Sequence, residues 1–107
     1  MIIEYTEYCL KDIKRLNKKY KNFKNDLINL IILLKENPIL WTNLWNWFYK
    51  IRVQNSDNNK WKSWGYRTIT YYNNWDKLLL IAIYSKSELE NISEEKINKI
   101  LNKYLDN

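Results

Sequence analysis

The sequence has 107 residues, with 18 basic and 12 acidic side chains, one cysteine and no histidine, which gives a net charge of +6. This length fits one small domain, and the composition excludes histidine general bases, His-containing metal sites and an internal disulfide. Because no positively charged leader precedes an apolar stretch, the apolar runs are short and Cys9 has no disulfide partner, we expect a basic cytoplasmic protein without a membrane segment. The small size and the lack of histidine and of a cysteine cluster lead us to expect no cofactor or metal.

The chain begins with a predicted strand and a first helix. Ile2 to Tyr5 is β-prone and ends in polar residues. From about Glu7, apolar residues recur at helical spacing, and Thr6 is a candidate N-cap. The basic residues on the other faces of this helix are expected mainly to solubilise it; they are Lys11, Lys14, Arg15, Lys18 and Lys19.

A second helix is predicted from about Phe23 to Glu36, with Asn22 as its candidate cap. Pro38 prevents its continuation. The apolar stripe of this helix is wider than packing on one sheet requires, because it includes Ile28, Ile32 and Leu33. The extra width suggests a protein partner, although oligomerisation or tighter internal packing would also account for it.

The second half of the chain predicts three strands and a third helix. Phe48 to Gln54 alternates, Tyr66 to Tyr72 is rich in Thr, Ile and Tyr, and Leu78 to Tyr84 is almost continuously apolar. Asn91 and Glu94 stand in capping-box register before the third helix. The predicted order is β-α-α-β-β-β-α, an α+β single domain in which a helical hairpin packs on a mainly antiparallel four-stranded sheet.

Basic residues cluster on two predicted strands and on the loop that joins them. Asp57 is the one acid in this segment, and its five basic residues are Lys50, Arg52, Lys60, Lys62 and Arg67. Converging strands would bring these cations into one patch that binds phosphates. A solvated face in a lysine-rich chain explains the charge equally well.

A third group of candidate residues follows the most apolar strand, in the segment Tyr84-Ser85-Lys86-Ser87-Glu88. A tyrosine and a lysine at the end of a buried strand would be held rigidly, as a catalytic site requires. The alternative is a strand that simply runs out into a polar turn.

Several segments, in this order and spacing, match a known family. They are Lys35-Glu36-Asn37-Pro38, Tyr49-Lys50-Ile51-Arg52, Lys60-Trp61-Lys62-Ser63-Trp64-Gly65-Tyr66-Arg67, Leu78 to Tyr84, Tyr84-Ser85-Lys86-Ser87-Glu88 and Glu90-Asn91-Ile92-Ser93. Over essentially the whole chain, the sequence resembles the RelE/ParE superfamily of type II toxin–antitoxin toxins, in its RelE-like and HigB-like branch.

The resemblance implies a small endoribonuclease toxin that cleaves mRNA, commonly on the ribosome, without a metal, and is silenced by a cognate antitoxin protein. By position, the family's site residues correspond to Arg52, Lys62, Arg67, Tyr84 and Lys86, with Lys50 and Lys60 as further RNA-binding residues. Arg52 and Arg67 would bind the phosphate oxygens. Lys62 or Lys86 would act as general base. Tyr84 would stack on a base or position the phosphate.

Three other functions fit parts of the sequence. A ParE-like toxin would bind a topoisomerase such as DNA gyrase, but a protein-binding poison needs no phosphate-facing cations. A non-catalytic RNA- or DNA-binding module would bind in a salt-dependent way without forming a product. A structural protein explains the basic patch least well.

Tryptophan is unusually common and glycine unusually rare. The chain has one glycine, Gly65, where average usage predicts about 7. The six tryptophans stand where the resembling sequences or turn chemistry favour glycine; they are Trp41, Trp45, Trp47, Trp61, Trp64 and Trp75. We hypothesise that UGA codons meaning glycine have been translated as tryptophan. A stacking platform for single-stranded RNA, or aromatic capping of the sheet edge and the helical hairpin, would be the alternatives.

Overall fold

The computed structural model describes residues 1–39, 42–57, 65–73, 76–89 and 91–106. Within these ranges the chain has the α+β architecture that the sequence predicts. The elements are β1 (Ile2–Tyr5), α1 (Glu7–Lys19), α2 (Phe23–Glu36), β2 (Thr42–Trp45), β3 (Phe48–Val53), β4 (Tyr66–Tyr71), β5 (Lys77–Ser85) and α3 (Glu94–Leu105). The predicted loop over residues 54–63 is described only as far as Asp57, and part of the predicted turn, Asn74 and Trp75, lies outside the described residues.

The sheet has five strands in the order β1-β5-β4-β3-β2, so the prediction of four strands is wrong. β1 runs parallel to β5, and the remaining neighbours are antiparallel. The additional strand is β2, which pairs with β3 through a hairpin that turns at Asn46, where φ is 44°. β2 is as short as β1, but it contains the polar residues Thr42 and Asn43 and leads into the turn at Asn46, so its composition is typical of a loop rather than a strand.

Both faces of the sheet are covered, by different helices. On one face, α1 and α2 pack on residues such as Ile51, Tyr66 and Ile83. On the other face, α3 packs on Ile69 and Ala82 through Ile97, Ile100 and their neighbours. The helical hairpin therefore packs on the sheet as predicted, and α3 forms a third layer.

An irregularity in the β4–β5 pairing determines which face of the sheet the last side chains of β5 occupy. The register shifts between Ile69 and Thr70, so that Ile81 and Ala82 both contribute to the α3 side of the core. A bulge of this kind reverses the alternation of all later residues in the strand. As a result Tyr84 lies on the α3 face, in the same core cluster as Ala82.

The predicted caps of α1 and α2 occupy the N-cap positions, whereas the predicted cap of α3 is wrong. Thr6 Oγ1 accepts a hydrogen bond from Cys9 N at 3.0 Å, as predicted for α1. Asn22 precedes α2 as predicted but makes no side-chain capping bond, and its side-chain amide donates to Asp57 at 2.9 Å. Ser93 caps α3 in place of Asn91.

The exposed backbone of β5 beyond β1 is covered by side chains of α1. β1 pairs with β5 only as far as Leu80. Beyond that point, Thr6 Oγ1 donates to the Ile81 carbonyl at 2.7 Å, and Asp12 Oδ2 accepts from Ile83 N at 3.1 Å. These bonds satisfy polar groups that an unpaired strand edge would otherwise leave without partners.

The turn after β5 is held by an ion-pair network. Arg15 binds Asp12 at 2.8 Å and Glu88 at 2.9 Å, and Glu88 also accepts from Ser85 N at 3.2 Å. Burial opposes ionisation of Glu88, but its hydrogen bonds from Arg15 and Ser85 lower its pKa overall. Arg15 therefore has a structural role.

The two described tryptophans do not occupy glycine-only conformations. Trp45 packs against Phe48 with ring centroids 5.1 Å apart. Among the described non-glycine residues, Asn46 alone has a positive φ, so Trp47 in the same turn does not need glycine's freedom. Trp41, Trp61, Trp64 and Trp75 lie outside the described residues, and the codon hypothesis stays a hypothesis.

Candidate nucleic-acid interface

Three of the predicted site residues form a row across the middle of the sheet. Arg52 on β3 pairs with Arg67 on β4, and Arg67 pairs with Tyr84 on β5. Residues in directly opposite positions share a face, so this row lies on the α3 face. Lys50 precedes Arg52 by two residues and therefore lies on the same face.

The row is buried at its centre and open at its β3 end. Arg67 is 5% exposed and Tyr84 is 4% exposed, whereas Arg52 is exposed and Lys50 is half-buried. Burial raises the pKa of the Tyr84 hydroxyl, and the Ile92 amide and the Arg67 charge only partly offset this. The Tyr84 phenol is therefore protonated at neutral pH.

Lys50 is the residue on which the positive charges of the site converge. Burial lowers the pKa of its ammonium group, and the charges of Arg67, Arg52 and Lys86 lower that pKa further, in this order. Within the described part of the chain, every charge that acts on Lys50 in this way is positive. The site thus places three cationic residues close enough to Lys50 to act on its charge, an arrangement that favours binding of an anion.

Asn91 holds the Lys50 side chain in place. Lys50 Nζ donates a hydrogen bond of 2.8 Å to Asn91 Oδ1. The sequence analysis assigned Asn91 to a helix cap and missed this contact, because the two residues are far apart in the sequence and no local pattern joins them.

Lys86 and Gly65 connect the ends of β4 and β5. Lys86 N donates to the Gly65 carbonyl at 3.1 Å, which fixes the turn after β5 beside the start of β4. A Cβ atom at Gly65 would lie 2.0 Å from the Val53 carbonyl oxygen. Only glycine permits this approach between β3 and β4, two residues from Arg67.

The predicted site residues are therefore brought together where the structure describes them. Lys50, Arg52, Arg67, Tyr84 and Lys86 form one neighbourhood, which we call the cation cluster. Lys60 and Lys62 lie outside the described residues. In the described ranges no three His, Cys, Asp or Glu side chains are grouped as a metal site would require, and no helix is long and apolar enough to cross a membrane.

No family model matches the chain, and no curated protein is significantly similar to it. The cation cluster is therefore the main basis for assigning a function.

Proposed function

We propose that this protein is the toxin of a type II toxin–antitoxin system, of the RelE/ParE kind, and that it inhibits translation by cutting mRNA on the ribosome. The observation that supports this proposal is the cation cluster itself, in which Arg52 lies opposite Arg67 and Lys50 lies on the same face, with its pKa lowered by burial and by the neighbouring charges. Such a group combines phosphate-binding charge with a lysine that loses its proton more easily than an ordinary lysine. The sequence resemblance supplies the toxin class and the RNA substrate.

In this proposal Arg52 binds the scissile phosphate and Arg67 adds its charge. Arg52 is exposed at the open end of the row, where it meets the incoming backbone, whereas Arg67 is 5% exposed, so its direct contact with the phosphate would require neighbouring side chains to move. Guanidinium groups suit the non-bridging oxygens of a phosphodiester because they donate two hydrogen bonds in parallel. Charge that develops on these oxygens in the transition state is then stabilised.

Lys50 is the general base. The sequence analysis favoured Lys62 or Lys86 for this role, but Lys50 has the lowered pKa and a side chain oriented by Asn91. A base with a depressed pKa has a larger neutral fraction at physiological pH, which proton abstraction requires.

Tyr84 positions the site in this scheme. Its ring is 4% exposed, so a base stacked on it would require the ring to move out of the core. Tyr84 lies opposite Arg67 in the β4–β5 pairing, which supports its other predicted role of positioning the phosphate, here through the arginine.

The proposed reaction is an internal transesterification. The ribose 2′-oxygen forms a bond to phosphorus and transfers its proton to neutral Lys50. The bond from phosphorus to the 5′-oxygen breaks, and that oxygen takes a proton from Lys86 or from water. The products are a 2′,3′-cyclic phosphate and a free 5′-hydroxyl, so the proposed reaction requires no external nucleophile and no metal.

The test uses a translating extract with two mRNAs that differ only in one 2′-deoxy position at the cleavage site. Wild-type protein should cut the mRNA and leave 5′-hydroxyl ends, and the 2′-deoxy position should resist cleavage. Lys50→Met and Arg67→Gln should both abolish cleavage, whereas Lys24→Met, which changes an exposed lysine of α2, should not. Salt-dependent binding without cleavage of either mRNA would instead identify a non-catalytic RNA-binding module.

The antitoxin is proposed to cover the exposed face of α2. Ile28 is 48% exposed and Ile32 is 50% exposed, and Leu33 beside them is also exposed. Large aliphatic side chains in neighbouring positions favour a protein contact. If a neighbouring gene encodes the antitoxin, its product should restore growth to cells that express the wild type but not to cells that express Ile28→Lys/Ile32→Lys. Equal rescue of both would place the antitoxin elsewhere.

A further inference from the structure

A second basic surface lies away from the cation cluster, between α1 and α3. A groove of about 500 Å³ lies between the first two turns of α1 and helix α3, which lines it from Lys96 to Leu105. Its polar walls carry four lysines and two tyrosines, which are Lys11, Lys96, Lys99, Lys103, Tyr8 and Tyr104. The three lysines of α3 recur at spacings of three and four residues, so they line one side of the helix.

The groove keeps a positive balance although some of its lysines have acidic neighbours. Glu7 is the one acidic residue in its lining, and it lies 3.9 Å from Lys11. Lys99 lies 3.7 Å from Glu95, but both side chains are largely exposed and such pairs are weak. A polyanion can therefore replace Glu7 and Glu95 as partners of these lysines with little loss of free energy.

Aromatic rings are interleaved with this charge. Lys96 Nζ lies 5.1 Å from the centre of the Tyr8 ring. The Tyr104 hydroxyl donates to Glu4, which fixes that ring at the other end of the groove. Positive charge alternating with fixed rings is typical of surfaces that bind single-stranded nucleic acid.

The groove lies next to one residue of the cation cluster. Tyr8 also lines a smaller cavity of about 180 Å³, together with Tyr84 and the ion-paired Asp12, Arg15 and Glu88. Tyr84 in turn pairs with Arg67. Tyr8 therefore lines both the groove and the small cavity beside Tyr84, so the groove lies next to the row of site residues.

We infer that this groove binds the phosphate backbone of the single-stranded RNA segment next to the scissile phosphodiester. The inference rests on the proposed nuclease function for the identity of the polymer, but the groove's charge and rings support it independently. Lys96, Lys99 and Lys103 contact successive phosphates along α3, whose 12 residues extend about 18 Å.

The experiment measures binding apart from cleavage. The probe is a fluorescent 2′-O-methyl RNA of about 12 nucleotides, a length within the usual site sizes of single-strand binders, which cannot be cut because its 2′-oxygens are blocked. The variant is Lys96→Gln/Lys99→Gln/Lys103→Gln. The matched control is Lys18→Gln/Lys24→Gln/Lys35→Gln, which removes the same charge from exposed positions of α1 and α2. Glutamine preserves helix propensity, and circular dichroism verifies the fold of both variants.

The expected result is a change in salt dependence. The logarithm of the binding constant falls with the logarithm of the salt concentration, and on a single strand each phosphate contact contributes about 0.7 to the steepness of this fall. The groove variant lacks three such contacts, so its slope should be shallower than the wild-type slope by about 2. The control should keep the wild-type slope. Equal slopes for the two variants would overturn the inference, even if the protein cleaves mRNA.

Other outcomes separate the groove from the nuclease assignment. If the groove variant shows the expected decrease in salt dependence but the wild type does not cleave mRNA in a translating extract, the proposed nuclease function is contradicted and the groove remains a single-strand binding site. Tighter binding of a duplex of the same sequence, with the same loss in the groove variant, would overturn the single-strand inference. Groove-dependent binding to anionic phospholipid vesicles, with no binding to RNA, would overturn it as well.

Discussion

Arg52 and Arg67 lie directly opposite each other on β3 and β4, so that two guanidinium-bearing residues share one position on the α3 face of the sheet. Like charges in opposite positions destabilise a strand pair. A bound phosphate would reverse this effect by placing a negative charge between them. The pair is therefore expected to favour ligand binding over the stability of the free protein.

Replacing Arg52 should stabilise the protein while weakening its binding to RNA. Arg52→Thr removes one of the two opposed charges and introduces a residue suited to a strand, so the free energy of unfolding in urea should rise by about 0.2–1 kcal/mol. The control is Lys77→Thr on β5, because Lys77 pairs with Glu4 at 3.2 Å and has no opposed cation to relieve. A loss of stability in Arg52→Thr that equals the loss in Lys77→Thr would contradict the repulsion.

The activity of the proposed nuclease should depend on the ionisation of Lys50. Because a base acts in its neutral form, kcat/KM should rise with pH and level off, with a midpoint below the ordinary lysine value of 10.5. Removing a neighbouring positive charge by Arg52→Gln should move this midpoint upward, as should added salt. Lys18→Gln should leave it unchanged. A midpoint that does not move in Arg52→Gln would exclude Lys50 as the titrating group.

The same ionisation should appear in the stability of the folded protein. Lys50 has a lower pKa when folded than the 10.5 of an unfolded lysine, so between these two values the unfolded chain binds more protons. The free energy of unfolding should therefore increase with pH across this window, and Lys50→Gln should reduce the slope. Urea unfolding at several pH values measures this pH dependence of the free energy of unfolding. An unchanged slope in Lys50→Gln would mean that other groups dominate.

Gly65 should tolerate no side chain. The Cβ of Gly65→Ala would meet the Val53 carbonyl oxygen at 2.0 Å, so β3 and β4 must move apart near Arg67. We expect the free energy of unfolding to fall by about 1–3 kcal/mol, the usual cost of overpacking, and RNA binding to weaken in parallel. Ser56→Ala, in the exposed turn after β3, should change stability by less than about 0.5 kcal/mol. Equal stability of the two variants would contradict the close approach.

Local patterns were sufficient to predict most helices and strands. α2 has the predicted limits, β1 has the predicted limits, and Thr6 caps α1 as expected. These features depend on residues a few positions apart, whose spacing is visible in the sequence. β2 was missed because two of its four residues are polar and loop-like, and its partner β3 supplies the pairing that defines it.

The site was predicted less completely, because its geometry depends on contacts between distant residues. The sequence and the resemblance indicated the cationic residues, but not that the bulge beside Ile81 would place Tyr84 on the face of Arg67. The contact between Lys50 and Asn91 spans 41 positions, so it could not be read from spacing. The α1–α3 groove had a visible signal in the spacing of Lys96, Lys99 and Lys103, but its partner Lys11 was interpreted only as a solubilising charge.

Asp12 should be a structural residue whose loss weakens the covered edge of β5. Its carboxylate accepts from Ile83 N at 3.1 Å and binds Arg15 at 2.8 Å, while the side chain is almost fully buried. Asp12→Ala leaves the Ile83 amide without its partner, which costs about 1–3 kcal/mol in the free energy of unfolding. Because the cation cluster is untouched, RNA affinity measured well below the unfolding temperature should stay near the wild-type value.

The matched control for Asp12 is Glu7→Ala on the same helix. Glu7 is exposed and lies 3.9 Å from Lys11, so its removal should change stability by about 0.5 kcal/mol or less. Hydrogen exchange adds a local measurement, since the Ile83 amide should exchange faster in Asp12→Ala and not in Glu7→Ala. If Asp12→Ala unfolds at the same urea concentration as Glu7→Ala and protects Ile83 equally well, then α1 does not close the edge of β5, and the end of the strand that carries Tyr84 must be held by other contacts.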